Sequence, residues 1–390
     1  MTEPALSVPD PRVFLPIELA SPEERALYAL AESSLGADSR QDADACDREL
    51  RSALASALEL DGAKLAALLE HAPSVAVTRH LWRALDGVWR EAPSQGAGVG
   101  VTVFALPIVI IAGIAGSGDQ CSLSGVLQDP QRFAAILQEH GALCGNRNFA
   151  LADVLVATDA IDVARLTEIR AWQRLPEALA PGATLSGVDL MPAPICVPGG
   201  GETVHLRFVV GTAIAAPEVD LLADPDVGPW GLPFAQALGR ALAADNASVL
   251  ILPRAPQRLL PAVSSGRNAQ REVSAQLFAS NAIRRFRSTV GEPSAVVSAH
   301  HALDAPGGGE LRLSLSSPFD TRAAEGFRCP LYPLDRVADV VAMLVALLRD
   351  CRVADIRMLA GVHADRAPGF GSTLLFRPDT IPDTAQITVH

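Results

Sequence analysis

No residue between Glu91 and Asp119 carries a charge. The heart of this stretch reads Gly96-Ala97-Gly98-Val99-Gly100-Val101-Thr102-Val103-Phe104-Ala105-Leu106-Pro107-Ile108-Val109-Ile110-Ile111-Ala112-Gly113-Ile114. A chain must bury such a segment, either in a protein core or in a bilayer. Roughly 20 apolar residues are enough to span a bilayer as a helix, so length permits a membrane span. Composition opposes one: glycines and Pro107 interrupt a run of Val, Ile, Thr and Phe, residue types that favour strands. The segment predicts one or two buried strands. No membrane span is expected, and 92–118 is the only candidate for one.

The sequence before it reads as helical. Ser21-Pro22-Glu23-Glu24 has the form of a capping box with proline at the first helical position. Leu27, Leu30 and Ala31 follow at helical spacing, and 40–60 and 62–70 suggest further helices. Leu81, Leu85, Val88 and Trp89 fall on one face of another helix. Trp82 shares that side, and core packing is the expected role of the tryptophan pair.

After the uncharged stretch, Asp129-Pro130 marks a helix start, with Phe133, Ile136 and Leu137 as its buried face and Gly141 as its stop. Residues 149–177 read as helical again, and 178–201 as a loop region rich in proline and glycine. Beyond, strands are expected at 203–215, 248–252, 294–300, 310–316, 353–362, 371–376 and 384–389. Helices are expected at 233–244, 267–286 and 335–349. This alternation predicts an α+β fold: a helical N-terminal region followed by mixed sheets with packed helices. Four regions are anticipated, at 1–92, 93–183, 184–292 and 293–390.

Pro198-Gly199-Gly200-Gly201-Glu202 recurs as Pro306-Gly307-Gly308-Gly309-Glu310. Each copy precedes a strand and later an Ala/Leu/Val-rich helix, which points to a duplicated ββαβ unit. With the glycines aligned, however, Val204, Leu206 and Phe208 fall opposite Arg312, Ser314 and Ser316. A one-residue slip flips every strand side chain. The alternatives are a bulge in one copy or two similar turns.

Composition excludes several chemistries. Of 32 basic residues one is lysine, Lys64, a skew that suggests a GC-rich bacterial genome. A Walker A loop and a Schiff-base enzyme each need a lysine. Lys64 follows Asp61, an expected helix N-cap, and reads as a solvated first-turn residue. P-loop ATPases, pyridoxal enzymes and Ser-x-x-Lys acyl transferases are therefore not expected. The net charge of −12 argues against nucleic-acid binding, which relies on basic surface. Six scattered cysteines without a C-x-x-C pair fit a reducing compartment. The N-terminus lacks the pattern of a signal peptide. A cytoplasmic location is expected.

Against this acidic background, residues 254–287 carry Arg254, Arg258, Arg267, Arg271, Arg284, Arg285 and Arg287, with Glu272 as their only acid. Ser264-Ser265-Gly266-Arg267 lies where a helix is expected to begin. A serine and glycine loop at a helix N-terminus offers free N–H groups and a positive dipole end, and Arg267 and Arg271 add guanidinium forks for phosphate or carboxylate. Arg284, Arg285 and Arg287 sit near the expected helix C-terminus, where cations are favoured in any case. Three outcomes stay open: a small-anion site, a partner or self-association contact, or arginines paired with acids such as Glu218, Asp220, Asp224 and Asp226.

His300, His301 and His363 are the acid–base candidates. Consecutive strand residues point to opposite faces, so His300 and His301 are not spaced to chelate one metal. No H-E-x-x-H and no zinc-type cysteine pattern is present, and neither metal nor cofactor is expected. Gly113-Ile114-Ala115-Gly116-Ser117-Gly118 resembles a dinucleotide-binding loop only loosely, and no G-x-S-x-G elbow occurs. Cys144 beside Arg147 is expected to be structural, with Asn146 and Asn148 capping turns. The leading expectation is an interaction or assembly protein that uses the arginine-rich segment as its contact. The alternative is an enzyme holding a phosphorylated or carboxylate small molecule on Arg267 and Arg271, with a histidine as acid–base.

Overall fold

The computed structural model describes residues 9–12, 14, 17, 20–90, 100–114, 120–144, 146, 148–169, 190–199, 201–215, 222, 226–243, 247–302, 308–317, 324–363 and 386–388. The expected strand at 371–376, the acids Glu218, Asp220 and Asp224, and the glycines of 116–118 lie outside them. The chain divides into two units. One comprises 36–67 and 82–270; the other comprises 1–35, 68–81 and 271–390.

From Pro22 to Arg90 the chain is helical, as its spacing predicts: α1 (Pro22–Leu35), α2 (Arg40–Leu60), α3 (Gly62–Glu70) and α4 (Val75–Arg90). The capping box at α1 is formed: Ser21 N–H donates to Glu24 Oε2 at 2.7 Å, and Glu24 N–H to Ser21 Oγ at 3.2 Å. Asp61 caps α3 by accepting from Ala63 and Lys64 N–H, which leaves the Lys64 side chain in solvent. On α4, Leu81, Leu85, Val88 and Trp89 are all buried.

In the unit built around 82–270, the uncharged stretch forms one long strand, β1 (Gly100–Ile114). The later elements are β2 (Cys121–Leu123), α5 (Pro130–Glu139), β3 (Phe149–Val156), α6 (Leu166–Ile169), β4 (Ile195–Val197), β5 (Glu202–Ala215), α7 (Gly228–Ala241), β6 (Ala247–Pro253) and β7 (Gln257–Arg258). The main sheet has the order β3-β5-β1-β6, with β7 also on β1, and all pairings are antiparallel. β2 and β4 form a separate pair.

Pro107 sits inside a central strand, where a missing N–H normally breaks the ladder. Here it falls in a gap. β6 stops pairing at Ile108, β7 begins at Ala105, and Pro107 only accepts, from Arg254 N–H at 2.8 Å. One sheet face packs Phe104, Leu106, Ile108, Ile110, Val209 and Ile251 against Phe133 and Leu137 of α5 and Trp230, Phe234 and Leu238 of α7.

The helical reading of 149–177 is corrected at its start. Phe149–Val156 is a strand buried at all but one position. Its alanines suit either state, but Phe149, Val154 and Val156 prefer a pleated surface, and β5 supplies the ladder.

The longest helix, α8 (Leu259–Thr289), begins eight residues before its expected start. Pro261 falls in its first turn, where a missing N–H costs nothing. Gly266 is therefore a mid-helix packing position and not an N-terminal loop: a Cβ there would stand 3.0 Å from Leu206 and 3.1 Å from Phe208 of β5.

In the unit containing 271–390, the elements are β8 (Ser294–His301), β9 (Gly309–Ser316), β10 (Ala324–Pro330), α9 (Val337–Asp350), β11 (Asp355–His363) and β12 (Gln386–Thr388). The sheet order is β10-β9-β8-β11-β12, with β8 and β11 parallel and the rest antiparallel. Its apolar face carries Ala295, Val297, Leu311, Leu313 and Met358 against Ala279 and Phe286 of α8 and Val341, Leu344 and Leu348 of α9. β10 is not among the strands the sequence predicts, because Ala324-Glu325-Gly326-Phe327-Arg328 has weak strand character. Its ladder with β9 holds it.

Both glycine-rich repeats lead into strands, β5 and β9. Among the described residues the continuations then differ: after β5 comes α7 and then β6, whereas after β9 comes a further strand, β10, before its helix.

Candidate functional site

The seven arginines of 254–287 meet different fates. Arg267 donates from Nη2 to Asp162 at 2.6 Å, with both side chains less than a third exposed. Ser264 and Ser265 are half-buried inside the helix, beyond the first turn whose N–H groups would be free. Ser265 Oγ accepts from Gln257 Nε2 at 3.2 Å.

Arg271 makes a buried, two-pronged ion pair with Asp335, the second prong at 3.1 Å. It also donates to the Pro330 carbonyl at 3.1 Å and stacks over the Tyr332 ring at 5.4 Å. Burial pulls its pKa down, but the hydrogen bonds and charge of Asp335 more than reverse this, so the guanidinium is held above its ordinary value.

Two further guanidiniums converge on the same loop, 331–336. Arg12 donates to the carbonyls of Tyr332, Pro333 and Asp335, and Arg79 to that of Leu334 at 3.0 Å. This hub is invisible to spacing, because its three cations come from residues 12, 79 and 271.

The C-terminal turns of α8 differ in exposure. Arg285 pairs with Glu325 through two prongs. Arg287 pairs with Glu292 at 3.0 Å and donates to the Arg352 carbonyl at 3.1 Å. Arg284 is exposed and has no acidic partner among the described residues. With Ser280, Ile283, Arg287, Ser288 and Cys351 it lines a shallow depression of about 480 Å³.

The histidines separate as strand parity demands. His301 Nδ1 lies 2.6 Å from the Pro11 carbonyl. His300 lies on the second face of its sheet, with Nε2 2.8 Å from Ser298 Oγ. That face is polar and buried: Ser298, His300, Glu310, Arg312 and Ser314 are all nearly inaccessible. The Glu310 carboxylate lies between Arg312 and Arg328, the latter donating at 2.6 Å. His363 is the register partner of His300 on β11; its side chain lies outside the described residues. A serine beside a histidine has the parts of an acyl-transfer pair, but a nucleophile must also meet its substrate, and Ser298 is 4% exposed.

Asn146 donates to the Ile214 carbonyl at 2.7 Å, and its Oδ1 accepts from Asn148 N–H. The Ile214 N–H donates in turn to the Asn148 carbonyl at 2.9 Å, so Asn146 and Asn148 are both tied to β5. Among the described residues no group of three His, Cys, Asp or Glu is placed to hold a metal ion, and no helix is long and apolar enough to cross a membrane. Comparison with known protein families, characterised proteins and solved structures finds no match.

Proposed function

We propose that this chain is an interaction or assembly protein whose contact is the basic end of α8. The observation that supports this reading is Arg284: an exposed guanidinium with no acidic partner among the described residues, at the mouth of a shallow depression shared with Arg287. Arg267 and Arg271, which the enzyme reading would use for a small anion, already hold Asp162 and Asp335. Buried cations with such partners act in the fold; a solvated one beside a second cation is open to an acidic protein face. Contacts of this kind raise association rates and weaken with salt.

A labelled poly-glutamate peptide, followed by fluorescence anisotropy, stands in for such a face. Binding should weaken as salt is raised and fall roughly tenfold in Arg284→Glu. Equal binding by wild type and variant would refute the assignment. Competition by millimolar inorganic phosphate would favour a small anionic ligand instead.

A further inference from the structure

We propose that β6 is a docking edge on which a second copy of this chain adds its own β6, antiparallel, about a two-fold axis at Leu250. The starting point is the contrast between the two edges of the β3-β5-β1-β6 sheet. The β3 edge is closed. Val126 bridges Val154, Leu127 N–H donates to the Asp153 carbonyl, Leu155 N–H to that of Gly125, and Ala193 N–H to that of Leu155. The β6 edge pairs with β1 over seven residues without a bulge. Among the described residues its outer side meets no other backbone.

Natural edge strands are blunted by charges, bulges, prolines or covering loops. Ala247-Ser248-Val249-Leu250-Ile251-Leu252 has no charge, no glycine and no proline before Pro253. Ser248 is exposed and Leu250 is 55% exposed. Leu232, on the helix α7 that packs on β6, is 67% exposed.

The ladder parity decides which groups face out. Arg254 N–H donates to the Pro107 carbonyl, so the pairs two, four and six residues earlier are also hydrogen-bonded. Ser248, Leu250 and Leu252 therefore turn their N–H and C=O toward β1. Ala247, Val249 and Ile251 turn theirs outward, and Pro253 presents a carbonyl but no donor. Two copies satisfy these groups, the Ala247 carbonyl excepted, when Val249 lies opposite Ile251 of the other copy and Ala247 opposite Pro253. Leu250 then meets Leu250 of the second copy across a non-hydrogen-bonded pair, the closest approach in an antiparallel ladder. The exposed leucine is buried against itself.

Charge selects the orientation and the occupant. β6 is preceded in sequence by Asp245 and followed by Arg254. Antiparallel pairing brings the Asp245 end of one copy to the Arg254 end of the other, whereas parallel pairing sets like charges together. Arg254 Nε is buried and has no hydrogen-bond partner among the described residues. An uncharged strand with opposite charges at its two ends is complementary to itself, which is what an isologous two-fold contact requires. The contact uses a different surface from the basic end of α8, so either proposal can fail alone.

The test is the solution mass of the full chain by sedimentation, with two variants. Leu250→Lys alters only an exposed side chain, and Val249→Pro removes an outward N–H while leaving the donors to β1 in place. Wild type should run as a dimer, and each variant should weaken it by at least about tenfold with an unchanged circular dichroism spectrum. Leu250→Cys in a background carrying Cys144→Ser and Cys196→Ser, the exposed cysteines, should form a disulfide-linked dimer on mild oxidation. Ser248→Cys, set opposite Leu252, should not. A monomer at all concentrations, or a dimer indifferent to Leu250→Lys, overturns the proposal. Cross-linking through Ser248→Cys and not Leu250→Cys overturns the register.

Discussion

The loop 331–336 is held by charges that have left water, and this makes its energetics testable. Arg271 and Asp335 are 6% and 5% exposed at their side chains. Among the described residues, replacing Arg271 by Met leaves the buried Asp335 carboxylate with only the Tyr332 N–H, 2.7 Å away, and removes the Arg271 donor from the Pro330 carbonyl. Breaking one side of a buried pair costs about 3–5 kcal/mol. In a unit of 150–250 residues each kcal/mol moves the melting temperature by roughly 2–4 °C, so a fall of roughly 10 °C is expected.

Asp335→Asn keeps the acceptor for Tyr332 N–H but strands the guanidinium, and should cost a similar amount. The double variant removes both charges and keeps the Tyr332 contact. It should recover most of the loss, because neutral replacement of a buried pair is often nearly free. The described tryptophans, Trp82, Trp89 and Trp230, lie in the other unit, so fluorescence is a poor reporter here. Calorimetry or far-ultraviolet circular dichroism suits the cycle. Single variants that each cost below about 1 kcal/mol, and that add in the double, would refute the reading of this pair as a buried charge hub.

Three further outcomes are expected. Gly211→Ala should destabilise by about 1–3 kcal/mol, since its Cβ would meet the buried Phe104 ring and stand 2.8 Å from the Ala150 carbonyl; urea unfolding followed by tryptophan fluorescence checks this. Burial, and then Arg207, hold the His205 pKa below 6.5. The unfolded chain thus binds the proton more readily, and stability is lost as pH falls through about 6.5; comparison with His205→Asn should remove that part of the slope. Burial pushes the Cys329 thiol up to about 12. In the native state it should resist a maleimide that labels Cys144 and Cys196, and labelling of all three at one rate would contradict its burial.

Strand or helix was legible where one-dimensional pattern and burial agree. The β-branched run at 100–114, the caps Ser21, Asp61 and Asp129, and the apolar face of α4 need only neighbours in sequence. Phe149–Val156 and Ala324–Pro330 were missed because a ladder with β5 or β9 supplies what composition lacks. The start of α8 was misplaced because Ser264-Ser265-Gly266 carries the chemistry of a loop. That Gly266 serves packing becomes visible only when Leu206 and Phe208 are seen against it.

The arginines divide along the same line. Their crowding into 254–287 on an acidic chain is a property of the sequence alone, as is the single lysine, Lys64. Which arginine is spent on the fold depends on residues far away in the chain: Asp162 for Arg267, Asp335 for Arg271 and Glu325 for Arg285. Local pattern reports what a residue does to the backbone within a turn or two. A charge acts through space on whatever the chain brings near it, so only the tertiary structure decides which cations remain for a partner.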